Sequence, residues 1–187
     1  MAFNNFLNSY VSYYCQPCYY PTFECIRPKV IFTITLGIPT TIPTSTPGVP
    51  IPTIPVGQTM VTNVTPLIGF IAVPISNIGG IIVNSTNGQF IIPIVGQYSI
   101  SAYITFSNNS IGQREIGIYK IDASNIITLL ASSSKTASQT GVTSITVSTV
   151  ATLNAGDKIF FAAAQNSGSS LIVINGKFDI VRLCPDR

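Results

Sequence analysis

The sequence predicts an all-β fold, and three observations lead to that prediction. Short runs of β-branched and other apolar residues recur from about residue 58 onward, separated by Gly and Asn. One run, GQYSISAYITFS, alternates cleanly, so Tyr98, Ile100, Ala102, Ile104 and Phe106 are expected to share one face of a strand. No segment has convincing helical periodicity. About eight to ten strands without a helix favour a β-sandwich or a jelly roll.

The strands follow one another in chain order. The first is KVIFTITLG, and LIGFIAVPI, GGIIVNS and GQFIIPI come next, with Asn87-Gly88 predicting a hairpin between the last two. The later runs are REIGIYKI, NIITLLA, VTSITVSTVATL, DKIFFAAAQ and SLIVINGKFDIVRL. Pro93 is expected to end a strand because it has no N–H donor, and Gly96 to adopt a turn conformation that a side chain would resist. Residues 154–157, Asn-Ala-Gly-Asp, predict a turn.

The chain divides into three zones by composition. Residues 1–28 are aromatic and carry cysteines, and their prolines oppose a helix, so they are interpreted as a connector arm. Residues 29–57 hold the first strand and a Pro/Thr-rich segment, in which six prolines from Pro39 to Pro55 favour a semi-rigid extended spacer. Residues 58–187 are predicted to form the β-sandwich.

The surface is expected to carry very little charge. Charged residues make up 8% of the chain, against about 25% in an average globular domain, and none lies between Lys29 and Arg114. The net charge of +3 comes from scattered residues, so no nucleic-acid patch is predicted. Apolar runs are too short for a transmembrane helix, and membrane insertion is not expected. A surface with so few charges does little to prevent association, which predicts that copies of the chain pack together.

The N-terminus does not resemble a secretion signal. MAFNNFLNSYVSYYC contains no Lys or Arg and no continuous apolar stretch. We therefore expect the protein to remain inside the cell, to leave by lysis, or to assemble in the compartment that made it.

Enzymatic activity is not expected, because the usual catalytic groups are absent. The chain has no histidine, and its six acidic residues include no close pair in the sequence. Glu115 lies beside Arg114 and is interpreted as a solvated surface charge. No cofactor or catalytic metal is predicted.

Two sequence blocks resemble one family of jelly-roll proteins. In the first, a strand ends in Phe-x-x-Pro and Gly-x-Tyr opens the next strand; the second runs from LNAGD to the last strand. The matching residues are Phe90, Pro93, Gly96, Tyr98, Leu153, Gly156, Asp157 and Phe178. Together the blocks resemble the complement globular-head and tumour-necrosis-factor-like family over residues 65–183. The resemblance implies about ten antiparallel strands and a trimer.

The four cysteines leave several interpretations open. Cys15 and Cys18 form a Cys-x-Pro-Cys motif, but no predicted helix or nearby cation supports redox chemistry there. Together with Cys25 and Cys184 they are also a candidate four-sulfur zinc site, and idle thiols are a further alternative. Intersubunit disulfides explain more, because Cys15 and Cys18 lie on the arm while Cys25 and Cys184 bracket the body. The ends of a domain often lie close together.

This layout resembles the endospore appendage (Ena) pilins of spore-forming bacteria. The resemblance implies a connector role for Cys15 and Cys18 and an acceptor role for Cys25 and Cys184. The sequence-based hypothesis is therefore a structural subunit of an extracellular or spore-surface fibre, joined head to tail, with an anchoring or tip protein as a further partner. The alternative is a trimeric recognition head of a spore filament or viral fibre that binds a receptor or glycan through its loops.

Overall fold

The computed structural model describes residues 31–35, 40–43, 65–67 and 76–183, and within them the regular secondary structure is entirely β-strand. The predicted all-β fold is confirmed. None of the described residues belongs to a helix long and apolar enough to cross a membrane. The twelve strands are β1 (Ile31–Thr35), β2 (Thr40–Ile42), β3 (Thr65–Pro66), β4 (Ser76–Ile78), β5 (Ile82–Asn84), β6 (Gln89–Ile91), β7 (Gly96–Phe106), β8 (Gln113–Ile121), β9 (Ile127–Thr136), β10 (Thr143–Leu153), β11 (Lys158–Gln165) and β12 (Leu171–Arg182).

The strands form two antiparallel sheets that pack face to face as a jelly-roll sandwich. Sheet I has the order β10-β7-β12-β1-β4, and β2 pairs with β12 beside it. Sheet II has the order β5-β6-β11-β8-β9, and β3 pairs with β11. The longest ladder joins β7 to β10 over eleven residue pairs, so these two strands and β12 form the most extensively paired part of sheet I.

The hydrophobic core lies between the sheets. Phe90 packs edge-on against Phe32 and Phe161, with ring centroids 5.3 and 5.7 Å apart, and Phe161 contacts Phe178 at 4.7 Å. The predicted buried face of β7 is confirmed, because Tyr98, Ile100, Ala102, Ile104 and Phe106 are all at most 2% exposed. Aromatic rings that contact each other from both sheets thus hold the sandwich together.

Two predicted turns are confirmed. Asn84 pairs with Gln89 across the hairpin, and Gly88 has a φ of 68°, which a residue with a side chain adopts only rarely. In the turn before β11, the Asp157 N–H donates to the Asn154 carbonyl (3.1 Å) and the Asn154 N–H donates to Asp157 Oδ2 (2.8 Å). Each turn reverses the chain between two strands of the sandwich.

Gly96 is required for a reason different from the one predicted. Its φ is not positive, so it needs no turn conformation that excludes side chains. A Cβ at this position would instead lie 2.5 Å from Nε of Arg182, whose guanidinium donates to the Val95 carbonyl (2.9 Å). Gly96 therefore leaves room for the arginine that fastens the end of β12 to the start of β7.

The strands that precede residue 58 are integral to sheet I. β1 is inserted between β12 and β4, and its Phe32 and Ile34 are fully buried. β2, in the segment predicted as a spacer, pairs with Leu171–Val173 of β12. The rest of that spacer and the arm of residues 1–28 lie outside the described residues.

Candidate functional site

The outer face of sheet I, which points away from the core, is broad and nearly uncharged. Small hydroxyl side chains cover most of it, and several apolar side chains protrude from it. The exposed large apolar ones are Ile78 (57%), Tyr103 (39%), Val150 (59%), Ile172 (41%) and Ile174 (47%). These side chains make the outer face of sheet I a candidate surface for contact with another protein.

The charges on this face neutralise each other. Nζ of Lys177 lies 3.6 Å from Oδ2 of Asp179, and the Thr33 hydroxyl donates to Oδ1 of the same carboxylate at 2.6 Å. Because the pair carries no net charge, it repels neither an apolar partner nor a second copy of the face.

Tyr103, on β7, is held in place on this face by hydrogen bonds. Its hydroxyl donates to Oγ of Ser144 (3.1 Å) and accepts from the Thr105 hydroxyl (2.9 Å). These hydrogen bonds lower the pKa of Tyr103, that with Ser144 most. An aromatic ring fixed in this way loses little conformational entropy when a partner covers it.

One end of the sandwich is organised by a buried arginine. Arg114 is fully buried, and its guanidinium donates to the carbonyls of Asn109 (2.9 Å), Ile111 (2.9 Å) and Gln113 (3.0 Å). It also lies 5.9 Å from the centre of the Phe106 ring. Burial lowers the pKa of Arg114. The buried Arg114 side chain thus fixes the backbone of the β7–β8 loop, residues 107–112, through hydrogen bonds to its carbonyls.

Three loops at this end are tied to one another. Asn166, in the β11–β12 loop, accepts the Gln113 N–H at 2.5 Å, and Gln139, in the β9–β10 loop, donates to the Ser110 carbonyl at 3.2 Å. Their exposed side chains are amides and hydroxyls, together with Ile111 (61% exposed) and Val142 (48%). We call these three loops the Arg114 loop end.

Glu115 and Arg114 are not the solvated surface pair that the sequence predicted. As neighbours on β8 they point to opposite faces of sheet II, and Glu115 is 5% exposed. Burial raises the pKa of Glu115 to about 7, and a hydrogen bond from Ser132 offsets part of that rise. Burial, with a contribution from the Glu115 charge, raises the pKa of Tyr119 to about 12.

The predicted cysteine sites cannot be placed on this framework. Cys15, Cys18, Cys25 and Cys184 all lie outside the described residues, so their pairing stays a prediction. Within the described ranges, no three His, Cys, Asp or Glu side chains cluster closely enough to hold a metal ion.

Arg114 and Tyr103 were not predicted from the sequence as organising residues. The sequence did contain a signal for the burial of Arg114. This residue lies two positions before Ile116, so the two side chains share the inward face of β8. Tyr103 lies on the outward face of β7, where it comes after Ser99 and Ser101. A large aromatic residue on the polar face of a strand is the pattern to look for.

The fold is similar to that of several solved jelly-roll structures. Eiger, a tumour-necrosis-factor protein from S. frugiperda, superposes with a TM-score of 0.58 at 11% identity, covering 84% of this chain and 96% of that one. Murine APRIL gives 0.55 at 12% identity, with coverages of 82% and 98%. The globular domain of zebrafish complement 1qA gives 0.52 at 15% identity, with coverages of 84% and 100%. The chain thus has the jelly-roll fold of tumour-necrosis-factor-like and complement globular-head proteins, as its sequence blocks predicted.

One curated relative was found by sequence. The chain is 46% identical over 135 residues to uncharacterized protein L688 of Acanthamoeba polyphaga mimivirus, which covers 71% of this chain. The matched region spans 57% of the length of that relative. No protein-family model matches the chain. The comparisons do not test the resemblance to endospore appendage pilins, which stays a prediction.

Proposed function

We propose that this chain forms the homotrimeric head of a surface fibre and binds a receptor or glycan through its loops. The observation that carries the proposal is the outer face of sheet I, whose ion pair carries no net charge and which exposes several large apolar side chains. Trimer formation is what the resemblance to complement globular heads and tumour-necrosis-factor-like proteins implies. The proposal includes no catalytic step.

A self-complementary contact is chemically reasonable for this face. Tyr103 supplies apolar area on β7, Ile172 and Ile174 supply more at the start of β12, and hydroxyl side chains on the same face can form hydrogen bonds across an interface. The paired Lys177 and Asp179 add no net repulsion when copies meet. A face that joins three copies would leave the loops at the ends of each sandwich exposed for recognition.

The Arg114 loop end supports the recognition part of the proposal. Its loops combine Ser, Asn and Gln side chains with the exposed Ile111 and Val142, a mixture that provides adaptable hydrogen bonds beside apolar contacts. Arg114 holds the loop backbone in place before a ligand arrives, which reduces the entropy lost on binding.

The relative from a mimivirus favours a viral setting over a spore setting for this head. The proposal therefore includes a location of this head on the outside of a virus particle.

The test is the oligomeric state of the full chain in sedimentation velocity experiments. We expect a trimer for the wild type and a monomer for Ile174→Asp, because a buried, unpaired carboxylate in each copy opposes association. The matched control is Ile82→Asp, the same substitution at an exposed isoleucine on β5 of sheet II, and it should remain trimeric. A monomeric wild type, or equal effects of the two substitutions, would contradict the proposal.

Disulfide joining into a fibre stays a separate prediction. It concerns Cys15, Cys18, Cys25 and Cys184, and none of the described residues bears on it. A non-reducing denaturing gel distinguishes the outcomes: ladders that only thiols dissolve indicate a covalent fibre, whereas monomer bands from a native trimer indicate a head without such links.

A further inference from the structure

Residues 84–86, Asn-Ser-Thr, match the acceptor motif for N-linked sugar, which is Asn-x-Ser/Thr with a middle residue other than proline. The motif also occurs at residues 63–65 and 108–110, and Asn63 lies outside the described residues. A chain so rich in Ser, Thr and Asn contains such triplets by chance as well. Because an attached glycan is bulky and hydrated, the local structure decides which copy can carry one.

The motif at residues 84–86 lies at the tip of the β5–β6 hairpin, and all three of its residues are exposed. Asn84 and Ile82 point to the outer face of sheet II, because both are exposed while Val83 between them packs against the core. The Thr86 N–H donates to Oδ1 of Asn84 at 3.1 Å, which closes an Asx turn. The turn holds the two residues that define the motif side by side at the surface.

The strand that carries Asn84 is weakly held in its sheet. Among the described strands, β5 lies at the edge of sheet II and pairs only with β6, through three residue pairs. A transferase must take the acceptor asparagine into its own site, so the hairpin tip has to separate from the body of the protein. A short edge strand opens at a lower free-energy cost than a central strand does. Asn84 is therefore accessible in the folded chain.

The motif at residues 108–110 is fixed more firmly. It lies in the β7–β8 loop, and its first and last residues are exposed. The buried guanidinium of Arg114 donates to the Asn109 carbonyl at 2.9 Å, and Gln139 donates to the Ser110 carbonyl at 3.2 Å. Lifting this loop into a transferase would leave a buried cation without its acceptors, which is costly.

We propose that Asn84 is the attachment site of an N-linked glycan. The donor is a sugar joined to a diphosphate, which is carried either by a lipid or by a nucleotide. Nδ2 of Asn84 forms a bond to the anomeric carbon of the sugar, and the bond from that carbon to the diphosphate oxygen breaks. The diphosphate leaves with the electron pair, and a base of the transferase takes one proton from the amide. Nothing is oxidised or reduced.

A glycan at Asn84 fits the composition of the surface around it. The chain has no charged residue between Lys29 and Arg114, and Ile82 is 62% exposed on the same face. A hydrated glycan supplies the solubility that charged side chains provide in other proteins. Because Asn84 points away from sheet I, the glycan would leave the outer face of sheet I uncovered. This inference does not depend on the proposed trimer.

Glycosylation of the folded, full chain in vitro tests the proposal. Unmodified chain is incubated with a lipid diphosphate-linked oligosaccharide and an oligosaccharyltransferase, or with UDP-glucose and a soluble N-glycosyltransferase. Peptide mapping by mass spectrometry locates and quantifies the added sugar, and the donor that reacts identifies its source. We expect Asn84 to be modified at least about 10-fold more than Asn108 in the folded chain. Synthetic peptides of residues 80–90 and 104–114, which lack the fold, should accept sugar about equally.

Substitutions in the hairpin test the assignment to Asn84. Asn84→Gln and Thr86→Ala should each lower the modification at this site by about 10-fold or more, whereas Thr86→Ser, which keeps the hydroxyl, should retain most of it. The matched control is Asn87→Gln, which changes an exposed amide of the same hairpin outside the motif and should behave like the wild type. Circular dichroism checks that each variant has the fold of the parent.

Three results would overturn the proposal. The first is a folded chain that accepts no sugar from either donor, whether or not the peptide of residues 80–90 is modified. The second is modification of Asn108 as readily as Asn84 in the folded chain, because the two loops would then be equally accessible. The third is an amount of attached sugar that is unchanged by Asn84→Gln, which would assign the glycan to another residue.

Discussion

Glu115 should make the fold less stable as the pH rises from about 4.5 to 7. The unfolded chain ionises this carboxyl near its ordinary pKa of 4.5, whereas burial raises the pKa in the folded chain to about 7. Between these values the folded state binds more protons than the unfolded state, so the free energy of unfolding falls with rising pH. Each pKa unit corresponds to about 1.4 kcal/mol, which limits the effect to about 3 kcal/mol.

The substitution Glu115→Gln isolates this contribution, because glutamine has the same shape and does not ionise. We expect the variant to equal the wild type in stability near pH 4.5 and to exceed it at pH 8.5 by up to about 3 kcal/mol. Tyr119, the titratable neighbour on the same face, does not interfere because its pKa of about 12 keeps it neutral across this range. Urea unfolding followed by circular dichroism at a series of pH values measures the difference.

The control for this experiment is Glu24→Gln, the same chemical change at a position outside the described residues. It gives the effect of removing one carboxylate elsewhere in the chain. The reasoning is refuted if the stability difference between Glu115→Gln and the wild type is the same at pH 4.5 and 8.5. A difference that grows toward low pH would refute it as well.

Three further substitutions or deletions have predictable effects on stability. Arg114→Met should lower the free energy of unfolding by about 2–4 kcal/mol, because three backbone carbonyls lose their buried donor; urea unfolding measures the loss. Gly96→Ala should cost about 1–3 kcal/mol through its collision with Arg182, and Arg182→Ala in the same chain should recover part of that loss in a double-mutant cycle. Deleting residues 1–57 should abolish cooperative thermal unfolding, because it removes β1 and its two fully buried side chains.

Each of these predictions has a matched control. Lys135→Met changes an exposed cation on β9 and should alter the stability by less than about 0.5 kcal/mol. Gly141→Ala places a Cβ where no atom lies within 4 Å, so it should be nearly neutral. Deleting residues 1–28 leaves β1 in place and should preserve the cooperative transition. If a control variant changed the stability as much as its test variant, the assigned contact would not be the cause of the stability loss.

The strands of the sandwich were predictable because each has local signals. The period-two alternation of β7 places Tyr98 and Phe106 in the core, and the Asn87-Gly88 pair specifies a hairpin through backbone conformation alone. The β1 strand was found in the same way. Its position in the sheet was not predictable, since its pairing with β12 joins residues that no local pattern connects.

The environments of single side chains were harder to predict, because they depend on what lies opposite them in space. Glu115 looks like a surface charge in a sequence that places it beside Arg114, yet the two side chains enter different layers of the molecule. Gly96 looks like a turn residue, and only the fold brings Arg182 against it. The surface of sheet I became a candidate site only when β7, β10 and β12 were seen side by side.

The position of β1 has a consequence for the synthesis of the protein. Thr33 on β1 and its hydrogen-bond partner Asp179 on β12 are 146 positions apart in the chain. At translation rates of 5–20 residues per second, roughly 7 to 30 s pass between the synthesis of the first and that of the second. Throughout that interval the apolar strand IFTIT has neither its β12 partner nor its share of the core. A ribosome-bound chaperone that covers this strand should therefore raise the yield of folded protein more than one that acts after chain release.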